Sequence, residues 1–491
     1  MEHRGKDRAP CRKGGPLLLA WLFLPLAVPA GVTLPKLFTD NMVLQCDRPV
    51  PVWGTAAPQE KVTVSFAGQT RETQAGRDGA WRVDLAPLKT TREPSELTVT
   101  AGTVSRLQNV VVGEVWLCGG QSNMSMPIMA TENAEAVADA ADHPLLRLYY
   151  IHHASDLKAH GWVTKPSPED VASHKWSAWK ICTPQTLRED GERHGGWKTW
   201  YGFSATAYFF GRTLQAERGV PVGLIQAAIG GSAIQGWVEP GKNPMLKTVI
   251  PFAFRGVIWY QGESNHNDGL AYLGKFSLLA ANWRAAWNHP SMPFYFAQIA
   301  PNAGYGGAQR PFALPEFWEA QRAITKAVPH TALIGTTDIG DLKDMHPKRK
   351  EPVGVRLAWQ ALDKTYGRKD RVADMPVFKS FTVEGKTARI AFDHVPTGLT
   401  TRDGKVPDWF EWLDEAGGGF VAAQARIDGK TVVLSAPQGS RPLAVRFGWS
   451  KCAEPNLMSR EGLPVYPFRA GEEKAFRLFR ALNGEYPHPL D

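Results

Sequence analysis

The sequence predicts an α/β chain in which a doubly wound, mostly parallel sheet is flanked by N-terminal and C-terminal β-sandwich-like modules. Residues 31–108 contain short alternating apolar runs between turn residues, residues 109–370 alternate strand and helix patterns, and strand patterns return over residues 371–491. Short runs of period two between turns indicate antiparallel sheets. Strands that alternate with amphipathic helices are typical of a parallel sheet with helices on both faces.

The first 30 residues precede these modules. A basic segment is followed by the apolar run "PLLLAWLFLPLAV" and by Val28-Pro29-Ala30. This order predicts a signal peptide over residues 1–30. We therefore expect a secreted or periplasmic protein. After removal of the signal we expect no stable membrane insertion, because no other segment approaches the apolar length of a membrane span.

Composition and charge argue against a nucleic-acid-binding protein and against a metal site. The chain is 43% hydrophobic and 21% charged, which is typical of a folded globular protein. Its formal charge of +8 is reduced when the basic N-terminal segment is removed, and no basic cluster alternates with aromatic residues, so we expect no nucleic acid partner. The scattered His and Cys residues show no metal-ligand spacing, and we expect no metal or other cofactor. Nothing in the sequence predicts the oligomeric state.

The middle segment can be divided into elements in chain order. "NVVVGEVWLC" predicts a buried strand, and "SATAYFFGRTLQAERG" predicts a helix with Ser204 as its N-cap and Gly219 as its stop. Strands are predicted at "VGLIQAA", "FRGVIWYQ", "PFYFAQIA" and "TALIGTTD", with helices at "AYLGKFSLLAANWRAAWN", "LPEFWEAQRAITKAV" and "KEPVGVRLAWQALDKTY". In such folds ligands bind at the carboxyl ends of the strands.

Four polar residues or turns follow predicted strands of this sheet. They are Ser122, the Gly230-Gly231 pair, Gln261 and His346. A serine hydroxyl becomes a useful nucleophile when a neighbouring His takes its proton. The backbone N–H groups of Ser122 and Gly231 and the Gln261 amide could stabilise an oxyanion. Each alone also fits a helix cap, a turn or a loop hydrogen bond, but their occurrence together on one sheet edge favours acyl transfer.

Long segments of this sequence resemble the sialate O-acetylesterase family. They are "GEVWLCGGQSNMSMP", "YFFGRTLQAERGVPVGLIQAAIGGSAIQGW", "RGVIWYQGESN" and "DMHPKRKEPVGVRLA", and the resemblance extends from about residue 33 to residue 475. It implies a carbohydrate esterase with an SGNH-hydrolase-like (flavodoxin-like) catalytic domain. It also implies that Ser122 is the nucleophile, that His346 is the base, and that Gly231 and Gln261 form the oxyanion hole.

The third member of the catalytic triad departs from the SGNH pattern. SGNH hydrolases carry an Asp three residues before the His, and here that residue is Lys343. We favour Asp344 as the acid that orients the imidazole, with Asp341 and Asp338 as alternatives.

The resulting prediction is an exported serine esterase that removes O-acetyl groups from carbohydrate, as sialate O-acetylesterases do, without a cofactor. Trp237, just past the glycine pair, is the predicted sugar-stacking residue. Acetylated xyloglucan or xylan is the alternative substrate. A non-catalytic carbohydrate-binding protein is the alternative of another class.

Overall fold

The structure is a computed structural model that describes residues 31–151, 178–189, 200–307, 310–414, 419–435 and 441–471. The predicted signal peptide at residues 1–30 lies outside the described residues. No helix in the described part of the chain has the length and apolar character needed to cross a membrane.

The N-terminal module consists of strands. They are β1 (Val43–Gln45), β2 (Val50–Thr55), β3 (Lys61–Phe66), β4 (Gln69–Gln74), β5 (Ala80–Leu85), β6 (Thr91–Ala101) and β7 (Thr103–Gly120). β2 pairs with β5, and β3 pairs antiparallel with both β4 and β6. Alternate residues of β3 and β5 are buried, as expected for strands with one face on a core.

β7 joins the N-terminal module to the central sheet. Its first half pairs antiparallel with β6, and its second half enters the parallel sheet. The predicted boundary between residues 108 and 109 therefore falls inside one continuous strand. A single hydrophobic core extends from Val43 of β1 through Trp116 to Leu357. The division of this region into two domains remains a prediction.

The central region alternates strands and helices. Its elements are α1 (Ser122–Ser125), α2 (Ala134–Asp139), β8 (His143–Tyr150), β9 (Lys180–Cys182), α3 (Pro184–Arg188), α4 (Ala205–Arg218), β10 (Val222–Ala228), β11 (Gly256–Tyr260), α5 (Ala271–Ala286), β12 (Phe294–Ala297), α6 (Ala313–Ala327), β13 (Thr331–Ile334) and α7 (Glu351–Lys364). Short 3₁₀ turns lie at Ile128–Ala130, Ile234–Trp237, Leu246–Thr248 and Glu263–Asn265. The predicted caps of α4 are confirmed, since the Ser204 side chain accepts from Ala207 and Gly219 has a φ of 64°.

The central sheet has the strand order β13-β12-β11-β7-β10-β8-β9. All neighbouring pairs from β13 to β8 are parallel, and β9 is antiparallel to β8. Side chains alternate between the two faces of a strand. On β7, Trp116 contacts Phe210 of α4, whereas Gly119 faces Trp283 of α5, so helices cover both faces. The mostly parallel α/β architecture is as predicted, and the antiparallel edge strand β9 makes the sheet mixed.

The C-terminal module is again built from strands. They are β14 (Val377–Glu384), β15 (Thr387–Asp393), β16 (Leu399–Thr401), β17 (Phe410–Asp414), β18 (Val421–Ala422), β19 (Gln424–Asp428), β20 (Thr431–Ser435), β21 (Pro442–Phe447), β22 (Leu457–Ser459) and β23 (Phe468–Gly471). Two four-stranded sheets, β14-β15-β20-β19 and β18-β17-β21-β23, enclose a separate core that includes Trp412 and Phe447. The module is anchored to the central region through an ion pair between Arg469 and Glu319 at 2.9 Å.

Candidate active site

The loop that carries Ser122 is shaped by a close contact between two central strands. β7 ends at Gly120, whose φ is 141°, and a Cβ there would lie 2.1 Å from the carbonyl oxygen of Tyr260 at the end of β11. Gln121 N–H donates to the same carbonyl at 3.0 Å. Only glycine tolerates this approach. The chain therefore turns at once into α1, with Ser122 half-buried at the carboxyl edge of the sheet.

Ser122 and His346 meet at this edge although 224 positions separate them. The Oγ of Ser122 lies 2.8 Å from Nε2 of His346, which is on the loop between β13 and α7. The edge of the Trp200 ring packs against the imidazole with ring centroids 5.4 Å apart. Trp200 is itself packed with Met126 and Ala130. At this separation a proton can pass from the hydroxyl to the imidazole.

The structure distinguishes the three carboxylates proposed to orient His346. Asp344 Oδ1 lies 3.4 Å from Nδ1 of the imidazole and also accepts the backbone N–H of His346 at 2.9 Å. Asp338 forms a two-pronged, buried ion pair with Arg356, at 2.8 and 2.6 Å. Asp341 accepts two backbone N–H groups of its own turn, at 2.8 and 3.2 Å. Of the three, Asp344 is the carboxylate beside the imidazole.

Two backbone N–H groups, one on the loop that carries Ser122 and one on the adjoining glycine turn, have no acceptor within the described residues. They belong to Ser122 and Gly231. The glycine turn lies next to the nucleophile loop, because Ile229 N–H donates to the carbonyl of Gly120 at 3.0 Å. Gly231 is exposed with a φ of 72°, and no atom lies within 4 Å of the position of a Cβ. Both groups can therefore donate to an oxygen that enters this edge.

Gln261 is 0% exposed and is hydrogen-bonded to the sequence neighbours of these two residues. Its amide nitrogen has three acceptors, namely Asn265 Oδ1 at 2.7 Å, Gln121 Oε1 at 3.1 Å and the Ser232 carbonyl at 3.2 Å. Its amide oxygen accepts from the Tyr272 hydroxyl at 2.8 Å. An amide nitrogen has two protons to donate. The predicted contact with an oxyanion would require Gln261 to release an acceptor, whereas the two backbone N–H groups need no such change.

The prediction that Trp237 stacks on a sugar is wrong. Trp237 is 0% exposed, and its indole N–H donates to Ser232 Oγ at 2.9 Å. Its ring packs edge-on against Trp259, and its carbonyl accepts from Trp283 at 2.7 Å. The aromatic residue after the glycine pair therefore belongs to the core under the turn, where it supports Ser232 rather than a ligand.

A buried polar network connects three loops beneath the serine. Lys350 Nζ, at the start of α7, donates to Asn123 Oδ1 at 2.6 Å and to the Pro347 carbonyl at 2.8 Å. Asn123 Nδ2 donates to the Met345 carbonyl at 2.9 Å and to Glu263 Oε1. Asn123 is thus linked to the residues on both sides of His346, directly to Met345 and through Lys350 to Pro347. The network fixes the loops that carry Ser122, Glu263 and His346 relative to one another.

Burial shifts both charged members of this network. It lowers the pKa of Lys350 to about 7, against the opposing effects of Glu263 and Asp344. It raises the pKa of Glu263, which its own backbone N–H and Asn123 partly offset. The second oxygen of Glu263 is buried and meets no donor within the described residues. Both shifts have the direction that loss of hydration dictates for a cation and an anion.

Lys350 and Trp200 were not predicted from the sequence. Lys350 belongs to the run "PKRKEP", whose neighbours Lys348 and Arg349 are exposed, so the run has the composition of a solvated surface. Its position one turn past His346, at the start of a helix with a buried face, is the signal that could have identified it. Trp200 had no such signal, because the residues around it show no periodicity.

The family model described as "Carbohydrate esterase, sialic acid-specific acetylesterase" matches residues 112–363, just over half of the chain. Human sialate O-acetylesterase is 26% identical over 431 residues, which cover 74% of this chain and 77% of the human protein. The mouse enzyme is 25% identical over 428 residues, covering 70% and 75% respectively.

A solved structure is similar over a larger share of the chain. The crystal structure of a carbohydrate acetylesterase from Xanthomonas citri is 32% identical, with a TM-score of 0.77, and the match covers 89% of this chain and 99% of that one. These matches agree with the α/β architecture described above. The chain belongs to the sialic acid-specific acetylesterase family of carbohydrate esterases, and it is a carboxylic ester hydrolase.

Proposed function

We propose that this esterase releases acetate from O-acetylated carbohydrate, with Ser122 as nucleophile, His346 as general base and Asp344 as the residue that orients His346. The observation that carries the proposal is the 2.8 Å contact between Ser122 Oγ and His346 Nε2 at the carboxyl edge of the parallel sheet. The placement of the four predicted loops on this edge supports an SGNH-hydrolase-like arrangement of the central domain.

The first half of the reaction transfers the acetyl group to the enzyme. His346 Nε2 takes the Ser122 proton as Oγ attacks the acetyl carbonyl carbon. The carbonyl oxygen becomes an oxyanion, which accepts from the backbone N–H groups of Ser122 and Gly231. When the intermediate collapses, the bond between the acetyl carbon and the sugar oxygen breaks. The imidazolium returns its proton to that oxygen, and the sugar leaves with a free hydroxyl.

The second half releases acetate. His346 takes a proton from a water molecule, whose oxygen attacks the acetyl carbon of the acyl-enzyme. The same N–H groups stabilise the second oxyanion, and collapse returns the proton to Ser122 Oγ. Asp344, which accepts the His346 backbone N–H at 2.9 Å, keeps the imidazole loop in place and stabilises the imidazolium in both halves.

The substrate belongs to the same proposal. The curated relatives are named for sialate, and the Xanthomonas enzyme for carbohydrate in general. We propose O-acetylated sugars, with acetylated sialic acid, xyloglucan oligosaccharides and xylan as the three classes to compare. Acetate release from each, measured beside an aryl acetate, tests this assignment. Hydrolysis of the aryl acetate with no release from any of the three would reject carbohydrate as substrate but keep the reaction.

The cellular location is also proposed. The order of basic segment, apolar run and small-residue site in residues 1–30 supports export, to the periplasm or the medium. Acetylated polysaccharide or glycan outside the cell would then be accessible to the enzyme. The N-terminal sequence of the protein recovered outside the cytoplasm tests the proposal, because cleavage is expected after Ala30.

Asp344→Asn should lower kcat about 100-fold or more and change KM little, because the imidazolium loses the carboxylate beside it. Steady-state kinetics on an aryl acetate measures the effect. Asp341→Asn is the matched control, since Asp341 accepts only backbone N–H groups within the same loop, and it should remain within a few-fold of wild type. A wild-type rate for Asp344→Asn would remove Asp344 from the proposed triad.

A further inference from the structure

One loop of the C-terminal module combines unusual exposure with unusual backbone geometry. It comprises residues 402–409, between β16 and β17, and is called the Trp409 loop. Trp409 is 37% exposed and Val406 is 76% exposed. Trp409 has a φ of 59°, a left-handed conformation that costs energy for a bulky side chain. Such strain persists where the surrounding structure imposes it, and it is frequent at ligand-binding positions.

Hydrogen bonds from the buried Asn456 hold the Trp409 loop in this conformation. Asn456 is 1% exposed and donates from its side-chain nitrogen to Asp403 Oδ1 at 3.0 Å and to the Val406 carbonyl at 2.9 Å. Its side-chain oxygen accepts the Asp408 N–H at 3.2 Å, and its own N–H donates to Asp408 Oδ1 at 2.8 Å. The loop is thereby fixed before any ligand arrives. A fixed loop loses little conformational entropy on binding.

The Trp409 loop is hydrogen-bonded to the loop that carries His346. Arg402 donates to the carbonyl of Asp338, at the start of the loop that carries His346, at 3.3 Å. Nearby, Lys451 donates to the carbonyl of Tyr305, on the loop after β12, at 2.8 Å. The C-terminal module therefore contacts two of the loops that border the active-site edge.

Part of the exposed apolar surface lies on the Trp409 loop and on the loop that carries His346. Six large apolar residues are exposed in the described part of the chain. Three of them, Met345, Val406 and Trp409, lie beside His346 or in the Trp409 loop. Single exposed apolar residues are ordinary on protein surfaces. A fixed, strained loop that presents an indole and is hydrogen-bonded to the loop carrying His346 indicates a binding surface in a carbohydrate esterase.

We propose that the Trp409 loop binds the sugar chain of the substrate, with the Trp409 ring against the apolar face of a pyranose that lies beyond the acetylated residue. The inference rests on the proposed function, since it assigns the substrate as an oligosaccharide or polysaccharide. The Trp409 indole N–H has no acceptor within the described residues and can donate to a sugar hydroxyl. Val406 extends the apolar surface, and Asp403, Lys405 and Asp408 supply polar groups at its rim.

Isothermal titration calorimetry on a protein without the nucleophile tests the proposal, because it measures sugar binding in the absence of hydrolysis. Xyloglucan oligosaccharide and xylohexaose are titrated into the Ser122→Ala protein and into the same protein carrying Trp409→Gly. Glycine is chosen because it adopts the left-handed backbone without strain. Loss of the indole surface should weaken binding about tenfold for at least one of the two sugars. Trp409→Phe, which keeps a flat ring, should retain most of the affinity.

Leu278→Ala is the control variant, because Leu278 is 53% exposed on α5, away from this loop, and should leave binding unchanged. Equal affinity with and without Trp409, or no binding of either sugar to the Ser122→Ala protein, overturns the proposal. Failure of the proposed function gives a different result, namely hydrolysis of an aryl acetate by the Ser122→Ala protein at the wild-type rate.

Discussion

Ser122→Ala abolishes acetate release, with kcat on an aryl acetate reduced about 10⁴-fold or more. The expectation follows from the contact of Ser122 Oγ with His346 at 2.8 Å, because the variant has no oxygen for the imidazole to deprotonate. Residual hydrolysis would come from the backbone N–H groups acting on a bound ester. Alanine removes one hydroxyl oxygen from a half-buried side chain and should leave the thermal unfolding midpoint within a few degrees of wild type.

Ser264→Ala is the matched control for this variant. Ser264 is exposed on the loop after β11, at the same edge of the sheet, and its hydroxyl forms no hydrogen bond with the described residues. Its kcat should remain near the wild-type value. If Ser122→Ala keeps a wild-type rate while folded, the nucleophile has been assigned to the wrong residue and the proposed mechanism is rejected.

Lys350→Met is the second change with a large expected effect. The variant loses the donors to Asn123 Oδ1 and to the Pro347 carbonyl, and it leaves both buried acceptors unpaired. We expect the free energy of unfolding to fall by about 2 kcal/mol. We also expect kcat to fall about 100-fold with KM nearly unchanged, because the loops that carry Ser122 and His346 are no longer held in a fixed relative position. Lys350 is thus a positioning residue, and urea unfolding and steady-state kinetics measure its two effects.

The pH dependence of the free energy of unfolding tests whether Lys350 is a buried amine with a lowered pKa rather than only an apolar packing group. The pKa of Lys350 is lowered from 10.5 to about 7 in the folded protein. Between these values the unfolded chain binds a proton that the folded chain does not, so the contribution of Lys350 to the free energy of unfolding rises with pH. Below about pH 7 both states carry the proton, and this contribution no longer changes. The difference in unfolding free energy between wild type and Lys350→Met should therefore increase from pH 7 towards pH 10.

Two further variants complete that test. Lys348→Met removes an exposed lysine two residues away and should change neither kcat nor the pH dependence. Lys350→Gln keeps a donor and should recover part of kcat. A Lys350→Met enzyme with wild-type kcat would show that the network does not position the active site. A stability difference that is independent of pH would show that burial does not lower the pKa of Lys350.

Local patterns predicted much of this protein. The helix Ala205–Arg218 begins and ends where Ser204 and Gly219 predict, because capping depends on residues that are adjacent in sequence. The apolar run "VGLIQAA" matches β10 residue for residue, because a fully buried strand needs no alternation. Ser122 and His346 could be paired from sequence because parallel strands bring their carboxyl ends to one edge.

Other features depend on three-dimensional context. The burial of Trp237 under the glycine turn could not be deduced from a Trp that follows two glycines, since the same pattern suits a surface loop. The Gln261 amide nitrogen already donates to the side-chain oxygens of Gln121 and Asn265, and no sequence pattern predicts the orientation of those side chains. The continuity of β7 through the predicted boundary at residue 108 was not predicted either. The hydrophobic pattern changes there because β7 changes its neighbouring strands, from β6 to β10, and not because the strand ends.

Covalent labelling tests the central claim most directly. A phosphonate ester analogue that reacts with activated serines is incubated with the full chain, and the labelled peptide is identified by mass spectrometry. The proposed mechanism predicts a single label on Ser122, with loss of esterase activity in proportion to labelling. His346→Gln should slow the labelling, because Ser122 then lacks its base. Complete inactivation with the label on another residue, or full labelling of Ser122 with activity retained, would contradict the proposal that Ser122 is the nucleophile.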